Sequence, residues 1–368
     1  MKKQNSGGNL NNEIEKLKAS TVFALTLGAK ELCHSNFWKW LIDKDKNFAK
    51  IFFNEIEVDK ITSVEREKEH MDIVIETVNG DYVIENKLKS LPKKEQLEDY
   101  RNKYANPKDK TKHFIRGIVT GISKPSFDIP KDWEFVDYEK ILDGIGNMFQ
   151  SANLTKDDKI VVKEYIESSK SMLYVIDNSL EKVGETMDCS NFNELSEIKL
   201  DDIVKKLQAD SFVHSLNKEI REQFENLVRE MDWDFDIRPD FSNKSSIVDV
   251  RFIKQINGEE ISLGVQIQDN KFKKMVAYSG DSTSKRESKD ELFKKYLSMG
   301  WFCDYDKNTK EIFGKATGQR NCFCSYVTNT YTFVYQYFNI EDYSFDALKE
   351  EIIKQMQYAF KIIEHNDL

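Results

Sequence analysis

Between His70 and Lys87 two β-branched runs, Met71-Asp72-Ile73-Val74-Ile75 and Tyr82-Val83-Ile84, flank an Asn79-Gly80 pair. This pattern predicts a hairpin, because a type I′ turn needs φ > 0 at both central residues and Asn-Gly supplies them. With Asn79-Gly80 as the turn, Val78 faces Asp81, Val74 faces Glu85 and Asp72 faces Lys87. Side chains alternate faces along a strand, so Asp72, Glu85 and Lys87 fall on one face at the open end of the hairpin. Upstream, residues 13–43 read as helix, with Val22, Leu25, Leu32, Phe37, Trp38, Leu41 and Ile42 recurring near helical spacing. A second helical piece covers 47–57, and an extended segment from 61 runs into Glu65-Arg66-Glu67-Lys68-Glu69. Downstream, 91–100 reads as a helix entered through Pro92, and 112–120 and 133–136 as strands. Strands alternating with helices indicate an α/β sheet.

From residue 153 the alternation stops. A long helix is predicted over 156–183, and two helical segments over 196–231, separated near Asp210-Ser211. Strand-like runs follow at 233–237, 246–253, 261–268 after an Asn257-Gly258 turn, and 274–278. A strand at 331–338 and an amphipathic helix at 345–365 end the chain. The organisation expected is a disordered lead over 1–12, an α/β domain over 13–150, a helical connector over 151–190, and an α+β domain over 191–368 serving specificity, sensing or partner binding. Its aromatic residues, among them Trp233, Trp301, Phe333 and Tyr335, read as core rather than as base-stacking platforms. Asp249 and Gln266-Ile267-Gln268 across Asn257-Gly258 faintly echo the first hairpin, with glutamines where an acid and a lysine would be needed to hold a metal.

The 368 residues, 39% of them hydrophobic, suffice for a core in each of two domains. No run approaches the roughly 20 apolar residues of a membrane helix, and the amino terminus is polar, so a cytoplasmic protein without membrane partners is expected. The five cysteines form no disulfide framework. Cys322 and Cys324, with Cys303, could make a zinc site, against the commoner reading of buried thiols. A net charge of −9 argues against general coating of nucleic acid, which depends on Lys and Arg. The segment after the hairpin is nonetheless basic, with Lys87, Lys89, Lys93, Lys94, Arg101, Lys103, Lys108, Lys110, Lys112 and Arg116, and would suit a polyanion.

The hairpin cluster has a chemical use. Hard cations such as Mg²⁺ take carboxylate, carbonyl and water ligands. Asp72 and Glu85 could hold one, the carbonyl of Asn86 could add an oxygen, and Lys87 could help to activate a water for phosphodiester hydrolysis. The bland alternative is an ordinary cross-strand Asp-Lys pair. Glu65 is either part of an exposed loop or an additional carboxylate at the same strand end. Glu31 and His34 are three apart and share a helix face. His34 is either a satisfied histidine near the core or, with Glu31, a group reaching the metal or the scissile phosphate. Gln96 and Tyr100, four apart, share a face of the next helix.

Ile84-Glu85-Asn86-Lys87, preceded by Met71-Asp72-Ile73 and followed by Gln96-Leu97-Glu98-Asp99-Tyr100, resembles the PD-(D/E)XK nuclease superfamily. The nearest branch looks like the bacterial group with an IENK motif, a downstream QxxxY motif and an upstream helix bearing His-Ser, here His34-Ser35. The resemblance covers roughly residues 25–140, and Met71 stands where the superfamily name has proline. It implies a restriction-endonuclease-like mixed four-stranded sheet flanked by helices, and Mg²⁺- or Mn²⁺-dependent cleavage of nucleic acid, DNA before RNA. It further implies Asp72 and Glu85 as metal ligands, Lys87 as the catalytic lysine, Gln96 and Tyr100 as auxiliary residues, and Glu31 and Glu65 as additional acids. A role in phage defence would fit, and a homodimer would suit double-strand cutting. The alternative is a catalytically idle or ligand-gated binding module on a nuclease fold.

Overall fold

A computed structural model of the chain describes residues 10–25, 30–88, 90–105, 113–125, 127–184, 193–242, 245–256, 258–280, 289–302, 322–325, 331–340 and 343–366. The chain falls into two compact units, Met1–Lys182 with Phe192–Leu207, and Val183–Asn191 with Gln208–Leu368. The first unit opens with helices α1 (Leu10–Ala19), α2 (Thr21–Leu25) and α3 (Glu31–Lys44). The helix thus begins within the expected disordered lead, because Ile14 and Leu17 bury an apolar edge; residues 1–9 lie outside the described residues. The piece expected at 47–57 is instead two short 3₁₀ turns, Lys46–Ile51 and Val58–Lys60.

Strands β1 (Ile61–Lys68), β2 (Met71–Thr77), β3 (Gly80–Lys87), β4 (Phe114–Gly121) and β5 (Trp133–Asp137) form a sheet in that spatial order, with α4 (Lys94–Ala105) between β3 and β4. The sheet has five strands rather than four. β1, β2 and β3 pair antiparallel, and β3, β4 and β5 pair parallel. On one face Val74, Val83 and Val119 pack against Leu97 and Tyr100 of α4. The other face buries Ile73, Ile75, Ile84 and Ile118. Helices α5 (Tyr138–Met148) and α6 (Lys156–Val183) follow. The part of α6 up to Lys182 belongs to this unit and is no free connector, because Val162, Tyr165, Met172 and Ile176 are buried and Tyr165 stacks on Phe37 at 3.7 Å.

Helices α7 (Asn193–Glu197) and α8 (Asp201–Val228) come next, the unit boundary falling between Leu207 and Gln208 of α8. The break expected at Asp210-Ser211 is absent. Burial of Ala209, Phe212 and Val213 carries the helix through two residues of indifferent propensity. In the second unit, β6 (Asp234–Ser242), β7 (Ser245–Ile256), β8 (Glu259–Gln268), β9 (Lys271–Gly280), α9 (Lys289–Ser298), β10 (Cys322–Ser325), β11 (Tyr331–Asn339) and α10 (Phe345–His365) build an antiparallel sheet, ordered β10-β11-β9-β8-β7-β6. Its apolar face packs on residues of α8, α9 and α10, and Trp233, Trp301 and Phe338 belong to that core. Cys303 lies outside the described residues, as do Lys89, Lys108, Lys110 and Lys112.

The first hairpin closes differently from the expected Asn-Gly turn. Thr77 pairs with Gly80 and Val74 with Val83, so Val78 and Asn79 form the loop and Gly80 is the first residue of β3. Gly80 has φ +135°, while Asn79 has no positive φ. A Cβ at Gly80 would lie 2.6 Å from the His113 carbonyl oxygen, which accepts the Asp81 N–H at 2.7 Å. The strand leading into β4 therefore draws Gly80 out of the turn. By contrast Ile256 pairs with Glu259 in the second hairpin and Gly258 has φ +83°, while Asn257 of the expected turn lies outside the described residues. We predict that Gly80→Ala lowers stability by about 2–4 kcal/mol, through clash and forbidden φ, while Asn79→Ala changes it by under about 0.5 kcal/mol, both read by urea denaturation.

Candidate active site

The slide of the hairpin by one residue on each strand moves Asp72 opposite Glu85 instead of opposite Lys87. The period of two keeps all three on one face. Glu85 is 2% exposed. Its Oε1 lies 2.7 Å from Lys87 Nζ and accepts from Gln96 Nε2 at 2.9 Å. Its Oε2 is buried without a hydrogen-bond partner. Asp72 accepts the Asn86 backbone N–H at 2.8 Å. Burial pushes Glu85 up to about 7, against the opposing pull of Lys87 and with the added repulsion of Asp72. Burial likewise raises Asp72, with Glu31 adding repulsion and Lys87 and Arg66 opposing it.

Helix α4 supports this face. Gln96 Nε2 also donates to Tyr100 Oη at 2.7 Å, and Tyr100 Oη donates to the His70 carbonyl at 2.7 Å. Lys103 Nζ donates to the neighbouring Glu69 carbonyl at 2.7 Å. Glu69 and His70, the loop between Lys68 and Met71, have φ of 52° and 72°. Two bulky residues in the left-handed region are unfavourable, and α4 pins the carbonyls of both just before Asp72. Burial pushes Tyr100 up to about 12, so it keeps its proton and stays a donor. Both residues position Glu85 and the β1–β2 turn.

Asn86 sends its side chain to the opposite face. Nδ2 donates to the Glu31 carbonyl at 2.9 Å and to Ser35 Oγ at 3.1 Å. Oδ1 accepts from Tyr138 Oη at 2.9 Å and Thr120 Oγ1 at 3.3 Å. The Asn86 amide group is thus committed to the core, and only its backbone carbonyl remains for the role expected of it. Glu31 reaches the site electrostatically, and its Oε1 accepts from Ser90 N at 2.6 Å and Ser90 Oγ at 2.8 Å.

Two expected residues sit elsewhere. Glu65 lies on the Asp72 face but opposite Val74, two residue pairs along the strands, paired with Lys68 at 3.1 Å and half-exposed. His34 is buried, its Nδ1 2.7 Å from Tyr165 Oη, with its ring against Tyr138 and Tyr165. Burial lowers it to about 3, so it is a neutral core histidine, and it does not join the carboxylates. Arg66, which sequence patterning left inside a charged run, bonds Asn36 Oδ1 through Nη1. Its Nε and Nη2 are buried without hydrogen-bond partners. The expected basic rim is partly neutralised, since Arg101 pairs with Asp132 at 3.0 Å and Arg116 with Glu55 at 3.2 Å.

Among the described residues no group of three or more His, Cys, Asp or Glu side chains is placed to hold a metal. The donor set is two carboxylates, one with an orphaned oxygen, and no nitrogen or sulfur. Such a set fits a hard cation that retains several waters, and not zinc. No helix among the described residues is long and apolar enough to cross a membrane. No protein-family profile, curated protein or solved structure matches this chain.

The raised Glu85 makes stability depend on pH. The folded chain holds this proton more tightly than the unfolded chain, so its contribution is complete below about pH 4.5 and disappears as pH rises through about 7. In EDTA, thermal and urea denaturation should show stability falling between pH 5 and 8. Glu85→Gln should remove much of that slope and gain about 1–3 kcal/mol at pH 8. Asn86→Ala, which strands several buried polar groups, should instead cost about 2–4 kcal/mol at every pH.

Proposed function

We propose that Asp72, Glu85 and Lys87 form the centre of a metal-dependent nuclease that hydrolyses phosphodiester bonds. The fold would be of restriction-endonuclease type, within the PD-(D/E)XK superfamily. The observation that carries this reading is the buried, unpartnered Oε2 of Glu85 beside Asp72, with Lys87 on the same face. A buried carboxylate oxygen without a partner is costly, and a cation is the partner its charge calls for. The preference for DNA over RNA follows from the sequence resemblance.

Asp72 and Glu85 would hold Mg²⁺ or Mn²⁺, with the Asn86 carbonyl as a further oxygen. When bound, such an ion activates water and offsets charge building on the phosphoryl oxygens. Lys87, on the same face and 2.7 Å from Glu85, would donate to a phosphoryl oxygen of the reacting phosphate. Gln96 fixes the orientation of Glu85, and Tyr100 fixes Gln96 and the strained turn before Asp72. Arg66 opposes the accumulation of negative charge at Asp72.

The test is cleavage of single- and double-stranded DNA and RNA with Mg²⁺, Mn²⁺ or EDTA. Wild type should cleave only with metal, and Lys87→Ala should lose about 10²–10⁴-fold in rate. Cleavage that survives EDTA, or a wild type inert on all four substrates, would overturn the reading.

A further inference from the structure

Gln96 donates to Glu85 and also lines an open groove of about 580 Å³ along α4, so the groove adjoins the carboxylate face. Its lining runs from Lys93, just before the helix, through Glu95, Asp99 and Asn102 to Lys103, roughly 15 Å at the helical rise. The polar side chains of α4 fall into two sets. Lys94 with Glu98, 3.9 Å apart, and Arg101 with Asp132, 3.0 Å apart, are paired and do not line the groove. Lys93, Glu95, Asp99 and Asn102 line it, are exposed, and make no side-chain hydrogen bond or ion pair with any described residue. Asp99 and Lys103 are four apart, the spacing of a helical ion pair, yet Lys103 donates to the neutral Glu69 carbonyl at 2.7 Å and leaves Asp99 open.

The charges of Lys93 and Lys103 cancel those of Glu95 and Asp99, so a phosphate backbone lying along the groove gains no net attraction there. Acids and an amide between two lysines suit a ligand that presents donors and acceptors together. The edge of a nucleobase is such a ligand. Carboxylates accept from the amino group of cytosine, and asparagine bonds adenine through both of its amide groups.

We propose that the groove side of α4 reads base edges in the major groove of duplex DNA beside the scissile phosphate, through Asp99 and Asn102 with Glu95. The inference rests on the nuclease reading and adds to it specificity-determining residues and a substrate class. The major groove of B-DNA, about 12 Å wide, admits an α-helix, whereas that of A-form RNA is too narrow for side chains to read. Lys93, at one end of the groove, meets the flanking backbone.

The experiment maps cleavage in Mg²⁺ on a randomised duplex DNA library and on duplex RNA, and measures binding of a fluorescein-labelled duplex DNA in EDTA over a salt series. The proteins compared are wild type, Asp99→Asn, Asn102→Ala and Lys93→Met. Wild type should cut duplex DNA with a base preference near the cut and leave duplex RNA intact. Asp99→Asn and Asn102→Ala should melt like wild type and each relax that preference about 10–100-fold at one or two positions. Lys93→Met should keep the preference and bind more weakly, with a salt slope smaller by about 0.9. A wild type that cuts DNA without base preference, or cuts duplex RNA equally well, would overturn this inference and leave the nuclease reading intact. So would Asp99→Asn and Asn102→Ala proteins that both keep the wild-type preference. A wild type inert on DNA and RNA, single- and double-stranded, would overturn both.

Discussion

The first unit depends on the side-chain amide of Asn86. This one group, 1% exposed, donates to α3 through the Glu31 carbonyl and Ser35, and accepts from β4 through Thr120 and from α5 through Tyr138. The backbone N–H of the same residue donates to Asp72. A buried amide with its donors and acceptor engaged specifies one arrangement of the elements around it, since each unmade bond would cost about 1–3 kcal/mol. Glu85 and Asn86 are neighbours, and alternation sends one side chain to the carboxylate face and the other into the core. The geometry of the site is thereby tied to the packing of the unit.

On the carboxylate face the balance is different. Desolvation raises both Asp72 and Glu85, and the mutual repulsion of the two charges is only partly offset by Lys87, Arg66 and the Asn86 N–H. The carboxylate face therefore stores unfavourable electrostatics, the expected cost of a preorganised charge site. Backbone strain at Glu69-His70 adds to it, and α4 holds that strain in place with Tyr100 and Lys103.

The second unit offers an instructive contrast. Asp249 stands opposite Gln266 on adjacent strands, much as Asp72 stands opposite Glu85. There the pair is closed by hydrogen bonds, Gln266 Nε2 donating to Asp249 at 2.8 Å and Lys273 Nζ donating to Gln266 Oε1 at 2.9 Å. An amide in place of the second carboxylate supplies its own donor, and the cations of Lys273 and, 3.8 Å from Asp249, of Arg238 complete the arrangement. The same backbone arrangement thus gives a self-satisfied ladder in one sheet and an orphaned oxygen in the other.

Much of the first unit was legible because its strands and helices follow simple periods. Asp72, Glu85 and Lys87 could be placed on one face from alternation alone, and that placement survives the shifted register because a slide of one residue on each strand preserves the faces. Gln96 and Tyr100 could be put on one helix face by their spacing of four. The turn could not be located, because Gly80 is held in β3 by backbone at His113, which is far away in sequence. His34 and Glu65 could not be resolved between site and scaffold, since a helix pattern does not say which residue meets Tyr165, nor a charged run which acid finds Lys68. The sequence by itself determined the local elements and which side chains share a face, for those follow from period and residue type. Only the tertiary structure decided register and the partner of each buried polar atom. These depend on contacts between distant segments, which local pattern does not encode.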